Sequence, residues 1–111
     1  MTKIEVFKKN GRIVRYKATG HAEYADLGED IVCAALSTTL QFPLAGMQEV
    51  LEITPKFEID SDGYLEVDLR GMDFSFKERE VNTLLESMLV MLKELSKGYP
   101  KNLKLVEKEE K

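Results

Sequence analysis

The sequence contains one cysteine, Cys33, and one histidine, His21. A single cysteine excludes a disulfide within the chain and leaves three roles: a buried packing residue, a reactive thiol or a link between two chains. One histidine and one cysteine also fall short of the three or four ligands that a zinc site requires, and the glycine motifs of phosphate and dinucleotide binding are missing. The sequence therefore predicts neither a metal nor a cofactor.

Basic residues are in the minority, with 16 Lys and Arg against 20 Asp and Glu, so the formal net charge is −4. Proteins that bind nucleic acid through its phosphates rely on clustered Lys and Arg, so direct nucleic-acid binding is not expected. Charged residues begin at Lys3 and Glu5, so the N-terminal segment lacks the apolar stretch of a signal peptide. We therefore expect a cytoplasmic protein.

The chain has 111 residues, of which 43% are hydrophobic and 32% charged. This size and composition are typical of one soluble globular domain, and we assign residues 1–111 to it. Residues 107–111 are all Glu or Lys and predict a solvated, frayed tail.

Two pairs of alternating apolar and polar segments predict β-hairpins. Segments 3–8 and 12–19 flank Asn10-Gly11, and segments 56–60 and 65–69 flank Asp62-Gly63. Each hairpin precedes a helical stretch, and residues 102–107 are predicted to add a closing strand. This order predicts a two-layer α+β domain with an antiparallel or mixed sheet and both helices on one face.

The second helix is predicted over residues 81–95, with Gly98 and Pro100 ending it. Residues 89–91 widen its apolar stripe beyond what one sheet face needs. Such a surplus is left facing solvent or a partner.

The first helix is predicted in a stretch without charge, from Ile31 to Gln48. A globular helix with one wet face normally carries several charges. A membrane span is excluded, because Ser37, Pro43 and Gly46 make the stretch too polar and too interrupted. We expect a helix kinked or broken at Pro43 and buried between its own sheet and a second copy of the chain, so the pattern predicts a homodimer.

The only histidine and the only cysteine are close together in sequence. His21 follows Gly20 at the end of the second predicted strand, and Cys33 lies just inside the first helix. If Asp30 caps that helix, Cys33 occupies its third position, where free N–H groups and the helix dipole favour a thiolate. A loop hinged at Gly20 and Gly28 would bring the imidazole to the sulfur, as a cysteine nucleophile and its base require.

Each of these residues also has a purely structural interpretation. Cys33 would be a buried packing residue, and His21 a hydrogen-bonded surface residue. Asp30 would only cap the helix, and Ser37 would bond back to the helix backbone. The protein would then be a binding or assembly factor without catalysis. A third interpretation, redox sensing, needs a disulfide between two chains.

The segment from Gly20 to Ser37 contains Gly-His-Ala, then Tyr-Ala and Gly, then Asp-Ile-Val-Cys-Ala-Ala and a final Ser. It resembles the signature of the Prp family, the ribosomal-processing cysteine proteases of bacteria. The resemblance implies an α+β dimer that removes a short N-terminal extension from ribosomal protein twenty-seven of the large subunit. It also implies cleavage after a hydrophobic motif that contains aromatic residues. The non-catalytic alternative becomes a ribosome-associated binding or assembly factor.

The resemblance implies a role for each matching residue. Cys33 is the nucleophile, and His21 is its base and then the acid that protonates the leaving amine. Asp30 and Ser37 are supporting residues, of which Asp30 orients the imidazole or caps the helix. Backbone N–H groups at the helix start, around Cys33 and Ala34, would hold the oxyanion with the Ser37 hydroxyl.

Gly20 completes the expected site. Because it has no side chain, a substrate peptide lying extended beside the strand that ends there would meet little obstruction. The resemblance implies that this peptide belongs to a ribosomal protein with an N-terminal extension.

Overall fold

The computed structural model describes residues 1–20, 27–60 and 63–110, and for residues 27–30 only the backbone. The described residues form an α+β fold with five strands and two α-helices. In chain order these are β1 (Thr2–Lys9), β2 (Arg12–Thr19), α1 (Leu27–Ala45), β3 (Lys56–Asp60), β4 (Tyr64–Asp68), α2 (Glu78–Gly98) and β5 (Leu103–Glu109). None of the described helices is long and apolar enough to cross a membrane.

Both predicted hairpins are confirmed. In the first, Asn10 and Gly11 adopt positive φ angles of 54° and 79°, as the two central residues of a type I′ turn require. This turn pairs β1 with β2 in antiparallel register. The second hairpin pairs β3 with β4, also antiparallel, and its predicted turn residue Asp62 lies outside the described residues.

The five strands form one mixed sheet in the order β3-β4-β2-β1-β5. Within this described sheet, β1 and β5 pair in parallel and the other neighbours are antiparallel. The parallel pairing places Leu103 opposite Thr2. The predicted closing strand is thereby confirmed. Both helices pack on the same sheet face, where apolar side chains of the strands and helices form one core. This core includes Ile4, Val6, Ala18, Leu65, Val67, Leu36, Leu44, Leu85, Met88 and Leu92.

The end of the chain is held to the sheet. The backbone N–H of Glu110 donates to the carbonyl of Lys8 at 2.7 Å, and its carboxylate pairs with Arg15 and Arg70. The expectation of a frayed tail over residues 107–111 is therefore wrong for residues 107–110. Strand pairing, Arg15 of β2 and Arg70 just after β4 hold these residues in place, and the final residue lies outside the described ones.

Pro43 does not break the first helix, although the sequence predicted a kink or break there. α1 runs through it to Ala45 and continues as a π-helical turn over Gly46–Val50. A proline removes one helical hydrogen bond and crowds the preceding turn. The hydroxyl of Tyr16, a fully buried residue of β2, donates to the carbonyl of Leu40 in that turn at 2.6 Å. This hydrogen bond ties α1 to the sheet in the turn just before Pro43.

The predicted apolar surplus on the second helix is only partly present. Val90 and Met91 are 59% and 51% exposed, as expected. Leu89 is 2% exposed and belongs to the core, so its assignment to the surplus was wrong. The face of α2 that packs on the sheet therefore contains residues 85, 88, 89 and 92.

The sheet face opposite the helices carries a network of ion pairs. Arg15 pairs with Glu66 at 3.1 Å and lies 3.8 Å over the ring of Phe7. Arg70 pairs with Asp68 at 2.8 Å. Arg15 lies on β2 and Glu66 on β4, so their ion pair links two neighbouring strands across the face.

Asp68 makes the stability of the protein dependent on pH. Hydrogen bonds from Arg70 hold the pKa of the Asp68 carboxyl below its ordinary value. A carboxylate whose pKa is lowered on folding stabilises the protein above its unfolded-state pKa and loses that contribution as the pH falls through the folded-state value. We expect Asp68→Asn to lower the free energy of unfolding by up to about 1 kcal/mol near pH 7, and we expect this difference from the wild type to shrink as the pH falls below about 4.

Urea unfolding between about pH 7 and pH 3 measures this difference. Glu109→Gln removes an exposed carboxylate at the end of β5 and serves as the control. Its unfolding free energy should follow the wild-type pH dependence. If the unfolding free energy of Asp68→Asn differed from that of the wild type by the same amount at every pH, Asp68 would not be the source of this pH dependence.

Candidate active site

The candidate site lies at one end of the sheet. β2 and β3 end there, and β1 and β4 begin there, as the pairing of Thr19 with both Lys3 and Tyr64 shows. A pocket of about 210 Å³ opens at this end between the sheet and α1. The polar and reactive residues that line it are Thr2, Cys33, Ser37, Gln41, Asp60 and Tyr64.

Cys33 is half-buried and lines this pocket. α1 begins at Leu27, so Cys33 is its seventh residue and lies in the second turn. The predicted start after Asp30 is wrong, because the helix extends further toward the N-terminus and includes Gly28, which was expected to act as a hinge. The predicted position of the thiol among free N–H groups at the helix start is wrong for the same reason.

The expected oxyanion site at the helix start changes with this boundary. The N–H groups of Cys33 and Ala34 lie beyond the first turn, where an α-helix uses its N–H groups for its own hydrogen bonds. The side chain of Ala34 is exposed on the outer side of α1. In this structure, those two N–H groups do not point freely into the pocket.

Ser37 lies one helical turn after Cys33 and lines the same pocket, so the predicted common face of the two residues is confirmed. Its Oγ accepts a hydrogen bond from Nε2 of Gln41 at 2.9 Å. Sequence reasoning did not single out Gln41. The signal that could have found it is the same spacing of four residues that joined Ser37 to Cys33.

Gly20 has a tightly enclosed backbone. Its φ is 84°, and a Cβ placed on it would lie 2.7 Å from the carbonyl oxygen of Met1. The hydroxyl of Thr2 donates to the Gly20 carbonyl at 3.2 Å. Only glycine accommodates both the left-handed conformation and this close approach. Thr2 is a pocket residue that sequence reasoning missed.

The expected course of the substrate beside β2 is wrong. β2 pairs with β1 on one side and with β4 on the other, so it has no free edge for a peptide. The sequence could not reveal this, because the neighbours of β2 are set by pairing with distant segments.

His21 lies outside the described residues, and Asp30 is described only by its backbone in the first turn of α1. The pairing of the imidazole with Cys33 therefore stays a prediction. Among the parts of the chain that the structure does describe, no three His, Cys, Asp or Glu residues are grouped to hold a metal ion.

Comparison with known proteins connects the fold and the motif. The model of the family described as "Cysteine protease Prp" matches residues 1–104. The ribosomal processing cysteine protease Prp of Bacillus subtilis is 27% identical over 96 residues, which cover 84% of each chain. The protein of the same name from Staphylococcus aureus strain Mu50 is 27% identical over 95 residues, 86% of this chain and 87% of its own.

Solved structures share the architecture over almost their whole length. A Streptococcus mutans protein superposes with a TM-score of 0.89 at 25% identity and covers 99% of this chain and 96% of its own. The S. aureus Prp in complex with a covalently linked product peptide has a TM-score of 0.77 at 25% identity, over 97% of this chain and all of its own. With the family model spanning nearly every residue and the fold shared throughout, the chain belongs to the Prp family of ribosomal-processing cysteine proteases.

Proposed function

We propose that this protein is a cysteine endopeptidase that removes the N-terminal extension of ribosomal protein twenty-seven of the large subunit. The observation that carries the proposal is the position of Cys33, which lines a pocket at the end of the sheet in a chain of the Prp family. The S. aureus relative has been solved with a substrate peptide and with a covalently linked product peptide. These complexes favour a peptide substrate here as well.

In the proposed reaction, the thiolate of Cys33 adds to the carbonyl carbon of the scissile bond. The tetrahedral intermediate collapses to a thioester, and the amine leaves with a proton from the His21 imidazolium. Water then attacks the thioester while His21 takes up its proton, which releases the carboxylic acid and restores the thiol.

Supporting residues have narrower roles in the proposal. Ser37 offers its hydroxyl hydrogen to the oxyanion, since its oxygen already accepts a hydrogen bond from Gln41. Asp30 lies three residues before Cys33 on α1 and orients the imidazole of His21. Gly20 fixes the start of the segment that carries His21, through its close contact with Met1 and Thr2.

The experiment is incubation of the purified, reduced protein with the host's ribosomal protein twenty-seven, followed by mass spectrometry of the N-termini. We expect a single new N-terminus at the end of the extension. The same ribosomal protein prepared without its extension should stay intact. A folded, reduced enzyme that leaves the extension in place would contradict the proposal and favour a non-catalytic ribosome-associated factor.

We also propose that the protein acts as a homodimer through the outer face of α1. Ile31 and Phe42 are each 60% exposed on a helix that carries no charge from residue 31 to residue 48. Beside Phe42, a groove of about 740 Å³ continues the apolar surface to Val50 and Leu84. Apolar surface of this extent is typical of a face that is covered by a partner.

Light scattering at micromolar concentration tests the dimer. We expect a dimer mass for the wild type and a monomer mass for Phe42→Glu, because a charge in the centre of the face would be buried without a partner. Tyr99→Glu changes an exposed aromatic residue just after α2, away from this groove, and should stay dimeric. A monomer mass for the wild type would contradict the proposal.

A further inference from the structure

Two strands, β3 and β5, lie at the edges of the described sheet, because the other three lie between neighbours. The end of β3 belongs to the candidate active site. Ile59 and Asp60 line the same pocket as Cys33. An extended segment that paired with β3 would therefore reach the pocket that Cys33 lines.

The edge of β3 has an open apolar side. Phe57 and Ile59 pair with Val67 and Leu65 of β4, whose side chains are 0% and 5% exposed beneath the helices. Phe57 and Ile59 therefore lie on the helix side of the sheet. They remain 47% and 44% exposed, because the helix layer does not extend over the outer strand.

This apolar side is unusual for the edge of a sheet. Natural edge strands are commonly protected by charges that prevent another strand from pairing. The charged residues of β3 alternate with its apolar ones and therefore lie on the opposite face. The helix side of the edge is left open to an apolar partner strand.

The pocket beside Cys33 has room for one large side chain. Its volume is about 210 Å³, whereas an apolar cavity of about 150 Å³ already takes up benzene. Leu36, Leu40 and Leu65 give it apolar walls. An extended peptide presents every second side chain to the same face, so one side chain can enter the pocket while the next on that face reaches Phe57.

We propose that the substrate binds as an additional strand along the outer edge of β3, with alternate apolar side chains over Phe57 and Ile59 and in the pocket beside Cys33. The inference rests on the proposed peptidase function and adds a binding mode to it. Backbone hydrogen bonds to β3 supply affinity, and the apolar side of the strand selects large apolar side chains at every second position.

Peptides that span the cleavage region of ribosomal protein twenty-seven, each with one N-methylated amide, test the backbone contact. Their binding is measured by fluorescence anisotropy with the Cys33→Ala protein, so the result does not depend on cleavage. In an added strand only every second residue turns its N–H toward the neighbour. We expect N-methylation at alternate positions to weaken binding about tenfold and at the intervening positions to have little effect.

A uniform effect at all positions, or no binding of the unmodified peptide, would overturn the strand addition. Binding with the expected alternation, but without cleavage by the wild type, would instead contradict the proposed peptidase and leave the binding mode standing. The two failures are therefore distinguishable.

A matched pair of variants tests the apolar side. Phe57→Ser is expected to raise KM about tenfold with little change in kcat, because it removes a binding contact away from the reacting atoms. Glu58→Ser, the next residue on the opposite face, should leave both constants unchanged. Thermal unfolding confirms that both variants are folded. A wild-type KM for Phe57→Ser would overturn the proposal. If the same variant also changed its oligomeric mass, β3 would instead pair with a second copy of the chain.

Discussion

Replacing Cys33 with alanine is expected to reduce cleavage of the ribosomal extension by at least about 1,000-fold. The proposed mechanism passes through a thioester, and no other residue lining the pocket carries a thiol. The fold should be retained, because alanine is a good helix former and Cys33 is only half-buried on α1. Single-turnover cleavage followed by mass spectrometry, together with the melting temperature, measures both effects.

Thr38→Ala is the matched control for this change. It lies on α1, five residues from Cys33, and its hydroxyl bonds to the carbonyl of Ala34 on the exposed side of the helix. We expect this variant to cleave at the wild-type rate. If Cys33→Ala also cleaved at that rate, the nucleophile assignment would be wrong and the cysteine would have only a packing role.

The second large effect is expected for Gly20→Ala, with a loss of about 100-fold in kcat/KM and a lower melting temperature. A non-glycine residue at a φ of 84° is strained, and the added Cβ would lie 2.7 Å from the Met1 carbonyl oxygen. Either β1 or the segment that begins at Gly20 must shift to relieve this contact. Because His21 is the next residue, the shift displaces the proposed base from its working position.

Gly71→Ala separates conformational strain from the close contact. Gly71 has a similar φ of 78°, but a Cβ there would meet nothing within 4 Å. We expect this variant to lose about 1–2 kcal/mol of stability and to keep its activity. If Gly20→Ala lost no more activity than Gly71→Ala, the contact with Met1 would have no part in positioning the site.

Local signals in the sequence predicted the elements well. The turn at Asn10-Gly11 and the alternation on either side of it are short-range features, and so is the spacing that puts Ser37 on the same face as Cys33. The start of α1 at Leu27 was missed, because Asp30 is a good helix cap but also fits the first turn of a helix that begins earlier.

Other parts of the site depend on contacts between distant segments. Thr2 and Ile59 reach the pocket of Cys33 only because β1 and β3 end or begin at the same side of the sheet. The sequence around each of them gives no sign of this. The same holds for Glu110, whose partners Arg15 and Arg70 lie on β2 and just after β4. These ion pairs hold a charged segment for which the sequence had predicted a solvated tail.

The parallel pairing of β1 with β5 also bears on the order in which the fold assembles. Leu103 lies opposite Thr2, so the two strands are separated by nearly the whole chain. Closing so long a loop is entropically costly and slow compared with forming the neighbouring hairpin. During synthesis, β1 therefore stays an open edge until β5 has left the ribosome. Thr2 pairs with Leu103 of β5 and donates to the carbonyl of Gly20, so it connects the site to that late step. In a nascent chain without β5, we therefore expect the pocket to lack the contact that holds Thr2 in place.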